Sequence, residues 1–274
     1  MTEGASITPS LPRRDRMAIL VSLGAVTALS WVYVVLMARG MHDMPMAAMI
    51  QVHAWTLLDF LLMFLMWAVM MVGMMLPTAV PMTLIYAAVA RKAERQGTPV
   101  GSTGTFVAGY LVMWMLFSIV ATVAQWGLDR AALLSPMMVS TSPALGAGLL
   151  IVAGLYQLTP FKNACLEHCR GPANFFTQHW RKGLGGAFRM GLVHGVYCLG
   201  CCWVLMGLLF VGGVMNLLWI AAITFFVLVE KVLPFGDRGG QLAGALMIIV
   251  GGTILVGLAS GDTVRAGREL WGVG

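Results

Sequence analysis

The stretch LLDFLLMFLMWAVMMVGMMLPTAVPMTLIYAAVA, residues 57–90, decides the architecture, and Asp59 is its only formal charge. As a helix rising ~1.5 Å per residue, its 34 residues would measure about 51 Å, well beyond a ~30 Å hydrocarbon core. Two readings compete. One is a single helix, kinked near Pro77 and Pro81 and protruding into the cytoplasm. The other is a pair of short spans.

The whole chain is of the same kind. Of its 274 residues 59% are hydrophobic and only 10% charged, with a mean hydropathy of +0.86. Soluble domains carry about 25% charged residues to clothe their surface. This composition excludes a soluble enzyme, a nucleic-acid module, a disordered chain and a secreted disulfide scaffold. An all-α, polytopic transmembrane bundle remains.

Further apolar runs cover residues 17–38, 106–128, 144–158, 187–211, 215–233 and 241–259. The first is too long for a cleavable signal peptide, whose apolar region takes about 7–15 residues, and reads as a signal anchor. Ser142 and Pro143 supply an N-cap and first helical position for the run at 144–158. With residues 57–90 as one span there are seven crossings. Residues 1–16 then form a cytoplasmic tail, 17–260 a single domain and 261–274 an extracytoplasmic tail.

Charge supports that count. With the N-terminus inside, 13 of the 17 Lys and Arg residues fall in cytoplasmic segments, leaving Arg39, Arg130, Arg265 and Arg268 outside. Splitting residues 57–90 would invert every later loop and spoil the asymmetry. The expectation is therefore N-in, C-out. The net charge of +6 follows from topology, and no nucleic-acid partner is needed.

Chemistry concentrates in Phe188-Arg-Met-Gly-Leu-Val-His-Gly-Val-Tyr-Cys-Leu-Gly-Cys-Cys-Trp203. On a helix His194, Cys198, Cys201 and Cys202 fall within an arc of about 100°, flanked by Met190 and Met206. A single buried cysteine or histidine usually only packs or bonds a neighbouring helix. Four soft or borderline donors on one face favour metal or redox chemistry. Thiolate and thioether select Cu(I), and thiolate with imidazole also suits zinc. Three thiolates on Cu(I) would leave an expensive excess of negative charge in hydrocarbon. Gly191 and Gly195 form a GxxxG that lets another helix approach closely.

A second thiol pair lies in Thr159-Pro-Phe-Lys-Asn-Ala-Cys-Leu-Glu-His-Cys-Arg-Gly-Pro172, read as a short capped helix stopped by Gly171 and Pro172. Cys165, His168 and Cys169 can converge there as a cytoplasmic hand-off site. Outside the membrane, Met41, Met44, Met46 and Met49 offer thioether ligands beside the His42 imidazole, with Met44 and Met46 as the expected pair; the same residues also suit an interfacial loop. Met63, Met66, Met70 and Met74 form one helix stripe, either packing or a thioether ladder. Asp59, Asn216, Glu230 and Lys231 are read as interfacial, paired or helix-joining groups.

These blocks carry a resemblance. Tyr156 to Lys162 with Cys165, Cys169 and Arg170, then Gly191 to Trp203, Gly213 to Trp219 and Glu230-Lys231 resemble a bacterial domain-of-unknown-function family of integral membrane proteins. Its members are described as metal-binding, some as copper chaperones. The resemblance covers about residues 57–235, with Met74 to Pro77 and Pro81 also fitting, and implies a helical multi-pass fold in the bacterial inner membrane.

The leading reading is Cu(I) handling: uptake, delivery or insertion into a membrane metalloenzyme, by ligand exchange rather than ATP-driven work, since no ATP-binding loop is recognisable. A metallochaperone or metalloenzyme partner is implied, and homo-oligomerisation stays open. Zinc is the other metal. The alternative function is a membrane thiol–disulfide oxidoreductase using the CxxC of Cys198 and Cys201. A structural assembly factor with idle thiols is the third.

Overall fold

The computed structural model describes residues 11–42, 55–135, 138–233 and 236–260. Among these residues the regular structure is helical, apart from isolated bridges joining Val100 to Gly183 and Leu134 to Ser140. Helix α1 covers Arg13–His42, α2 Leu57–Arg95 and α3 Thr103–Arg130. Five stretches are long and apolar enough to cross a membrane: Arg13–Gly40, Leu57–Arg95, Thr103–Arg130, Gly183–Gly212 and Arg238–Ser260.

The two readings of residues 57–90 resolve into one helix that runs through Pro77 and Pro81. A proline lacks the N–H that would bond the carbonyl four residues earlier. For Pro77 that orphan is Gly73 O, and the Trp31 indole of α1 donates to it at 3.2 Å. Gly73 is also where α1 comes close, since a Cβ there would lie 3.1 Å from Ser30 Cβ. A neighbouring helix thus supplies the hydrogen bond that α2 cannot.

The expected fourth and sixth spans are shorter features. Helix α4, Pro143–Gln157, meets α5, Pro160–Arg170, at a 64° bend. Ser142 caps the first, its side chain accepting from Leu145 N, and Thr159 caps the second, accepting from Lys162 N. Helix α5 stops at Gly171, its C-cap, as expected, and Pro172 then opens another helix, α6, Pro172–His179. Helix α7, Gly183–Gly207, continues into the short α8, Leu209–Gly212. Helix α9, Leu217–Val232, has 16 residues, about 24 Å of rise. Asn216 caps α9, accepting from Trp219 N at 3.2 Å, while its Nδ2 donates to Gly212 O of α8 at 3.1 Å, so it links the two helix ends. Helix α10 is Gly236–Ser260.

Contacts along α7 fix how these pieces sit. Helix α4 runs antiparallel to it, with Gly146 beside Val211 and the Tyr156 hydroxyl donating to Gly200 O. Helix α9 does the same: Trp219 Nε1 donates to Leu208 O at 2.8 Å, and Lys231 Nζ reaches Cys198 Sγ at 2.8 Å. Helix α10 runs back along α4, with Gly244 against Gln157 and Gly251 against Ile151. The C-terminal ends of α4 and α9 therefore arrive at the level of Cys198 to Gly200, halfway along α7, as does the start of α10.

The GxxxG expectation is met by α3. A side chain at Gly191 would run into the Phe106 carbonyl, and a Cβ at Gly195 would lie 2.8 Å from Met113 Cβ. This contact presses the thiol-bearing helix against α3 along its chemically active length.

Candidate metal centre

The site forms where the half-length helices end. Cys198, Cys201 and Cys202 are each at most 2% exposed. The Cys198 sulfur is 2.8 Å from Lys231 Nζ and 3.1 Å from the Tyr110 hydroxyl. Tyr110 also donates to Met75 O at 3.0 Å, and Lys231 reaches Thr78 Oγ1 at 3.3 Å. One thiol is thus held by groups from α3 and α9, which α2 braces in turn. The Lys231 ammonium is buried in direct contact with sulfur.

Cys201 and Cys202 point elsewhere. Both thiols donate to Cys198 O at 3.0 Å, the back-bonding a short polar side chain makes to the previous helical turn. Among the described residues no group of three or more His, Cys, Asp or Glu side chains is arranged to hold a metal ion.

A third helix contributes a further thiol. Cys169, from α5, packs against the core cluster that contains Cys198, Cys201 and Cys202. It is half-buried, unlike the thiols of α7. Cys165 packs on Gly200, where a Cβ would come within 2.8 Å of its sulfur; glycine there makes room for α5. The residues expected as two separate groups, one in the membrane and one in a cytoplasmic segment, lie against one another. His168 is not among them. Its ring stacks on Tyr197 at 4.2 Å, and its Nδ1 contacts Ala164 O at 2.8 Å.

His194 lies one turn before Cys198, stacked against Tyr110 at 5.3 Å and Phe106 at 6.0 Å. It is 2% exposed, and among the described residues its Nδ1 has no hydrogen-bond partner. A buried polar atom left unpaired is costly. Met190 is buried in the aromatic cluster of Tyr86, Phe106, Phe175 and Phe176, and Met206 in the main core. Both are packing groups. Met44 and Met46 lie outside the described residues, as does Met49.

Sequence reasoning undervalued the pair Glu230-Lys231. Glu230 is 2% exposed and forms an ion pair with Lys162 while accepting from Gln157 Nε2 at 3.1 Å. Lys231 turns the other way, onto Cys198. The available signal was an ionisable pair on an otherwise apolar helix, which calls for a named partner.

Fold and site together define a bundle of long apolar helices with thiols and one lysine gathered around a buried centre. A family model described as Copper chaperone, PpoB2, matches residues 64–254, well over half of the chain. The chain belongs to this family, and its role is copper-related. The matched segment includes every cysteine and Lys231 and leaves out α1. Searches of curated proteins and of solved structures find no match.

Proposed function

We propose that this is a multi-pass protein of the bacterial inner membrane that carries Cu(I) as cargo on two thiolates at a time, Cys198 with Cys201 and then with Cys169 as the exchanging ligand, and passes it to a protein partner. Lipid is the solvent its outer faces suit: Leu29 and Leu36 on α1 and Leu242, Ile249 and Val256 on α10 are exposed. The seven-crossing, N-in, C-out arrangement keeps most basic residues on one side, with α9 as a short crossing. Because α4 and α9 end halfway along α7, their connections bring the cytoplasmic surface inward to the thiols. Interrupted helices that end around a buried polar site are the recurrent way membrane proteins hold a small cargo at depth.

One observation carries the reading: the Lys231 ammonium sits on Cys198, in a cluster against which Cys169 of another helix also packs. Two thiolates on Cu(I) leave one negative charge, and the lysine cancels it. Burial then costs far less than for an unbalanced cluster. Cys202 and the free nitrogen of His194 are reserve ligands. Cys169, half-buried, is the natural point of exchange, because ligand exchange needs one thiol that a partner can reach. Zinc fits this set less well, since it asks for four ligands in a tetrahedron.

Metal content of protein purified anaerobically in detergent tests the proposal. About one copper per chain, lost in Cys198→Ser/Cys201→Ser, is the expected result for a thiolate site of this kind. No copper, with these two cysteines titrating as a reducible disulfide, would overturn it in favour of thiol–disulfide exchange.

A further inference from the structure

Roughly 22 Å along α3 from Tyr110, at ~1.5 Å per residue, a second group of sulfurs meets a buried polar atom. Gln125 is 2% exposed. Its Oε1 accepts from the Trp67 indole N–H at 2.6 Å, and its Nε2 faces two thioethers, Met63 Sδ at 3.5 Å and Met138 Sδ at 3.3 Å. The amide cannot be turned around, because the indole has only a donor to offer and must meet the oxygen. The protein has therefore placed the positive edge of an amide between two sulfur atoms.

Thioether sulfur is a weak acceptor for N–H and a good ligand for soft cations. A carboxamide that settles for two such partners inside a protein fills a position whose field suits a cation better. A second feature points the same way. Met138 has φ +56°, a conformation that favours glycine and is kept only where the surroundings impose it. Its neighbours contribute: Met138 N donates to Ser135 O at 2.8 Å, and Val139 N to Ser135 Oγ at 3.2 Å. A cavity of about 360 Å³ borders this segment through Val139 and is also lined by Arg39, Met215 and Asn216. Both methionines are half-buried, so a cation needs only a small swing of one side chain to reach them.

We propose that Met63 and Met138 form a second Cu(I) site, a thioether pair remote from the thiols, which the Gln125 amide occupies when no metal is there. Binding displaces the amide from between the sulfurs; no bond is broken and no electron moves. Two thioethers hold Cu(I) less firmly than thiolates, which suits a transit position feeding the tighter centre. Met66, Met70 and Met74, all buried on α2, lie between the two. The proposal rests on the Cu(I)-handling reading above and adds a second location to it.

The experiment uses Ag(I), a soft d10 probe, on the full chain in detergent with methionine methyl groups labelled for NMR. The five cysteines are replaced by serine so that only thioethers remain. Expected is a shift of the Met63 and Met138 methyl signals ahead of the other methionines, and loss of one equivalent of bound Ag(I) in Met63→Leu/Met138→Leu. Unmoved Met63 and Met138 signals at saturating Ag(I) would overturn the proposal. Should the serine variant not fold, the native chain preloaded with copper is titrated and the same two signals are read. Copper loading on the thiols of the native protein is measured separately. A thiol centre that fills while Met63 and Met138 stay silent sinks this site alone, whereas a thiol centre that never fills sinks the function.

Discussion

Glu230 and Lys231 are neighbours in sequence, buried at the same end of α9, and they meet opposite fates. Glu230 turns to Lys162 on α5 and Gln157 on α4, closing a compact ion pair with its charges cancelled. Lys231 turns to α7, and among the described residues it meets the Cys198 thiol and the Thr78 hydroxyl rather than a carboxylate. The first is a finished structural contact that ties three helix ends together. The second is incomplete by charge unless sulfur becomes thiolate. A membrane bundle can bear the cost of one neutralised pair; it keeps an unsettled cation where something is to be done with it.

That contrast breaks most visibly through Glu230→Ala. Removing one partner of a buried pair leaves Lys162, itself 1% exposed, without compensation, which costs about 3–5 kcal/mol. The expected outcome is a large fall in the thermal midpoint in detergent, with copper per folded chain unchanged. A fall in copper at normal stability would mean that the pair belongs to the site.

Lys231→Met makes the opposite cut. Copper affinity, read by competition with a Cu(I) chelator, should weaken by about 10- to 100-fold, the usual effect of losing a group that supports a metal ligand. Stability should hold or rise, because a buried ammonium gives way to an apolar chain of similar length. Unchanged affinity would show that Lys231 is only a packing group and that the thiols balance their charge in another way.

Most of the helical framework was legible because apolar length and capping chemistry are local. Residues 17–38, 57–90 and 106–128 became α1, α2 and α3, and the caps Ser142 and Thr159 sit where their side chains predict. The short reach of α9 was not legible. Its run of 215–233 looks like any other apolar segment, and only the meeting of Lys231 with Cys198 shows that it covers half of α7. The candidate site was legible as a list of residues and not as a shape. Helical spacing puts Cys198, Cys201 and Cys202 on one arc but says nothing of their χ1 angles, which here turn two of them onto Cys198 O. Nor does it say where α5 docks. The bend after Gln157 carries Cys169 to the same centre, a consequence of tertiary packing that no spacing within α5 contains.

His168 tests that last point with the smallest expected effect. As the third member of a separate site with Cys165 and Cys169, it would be a ligand, and its loss would lower copper binding as much as Cys169→Ser does. In the fold its ring lies nearly parallel to Tyr197, at 10°, and its one polar contact is to its own helix. His168→Phe preserves the stacking and sacrifices only that contact, worth about 0.5–1.5 kcal/mol. Copper per chain and chelator competition should match the native protein within error, while Cys169→Ser lowers both. Equal losses from the two variants would separate α5 from α7 again and restore two sites in place of one. Their inequality is what a single centre requires, because a centre is defined by which atoms reach it and not by which residues stand close in sequence.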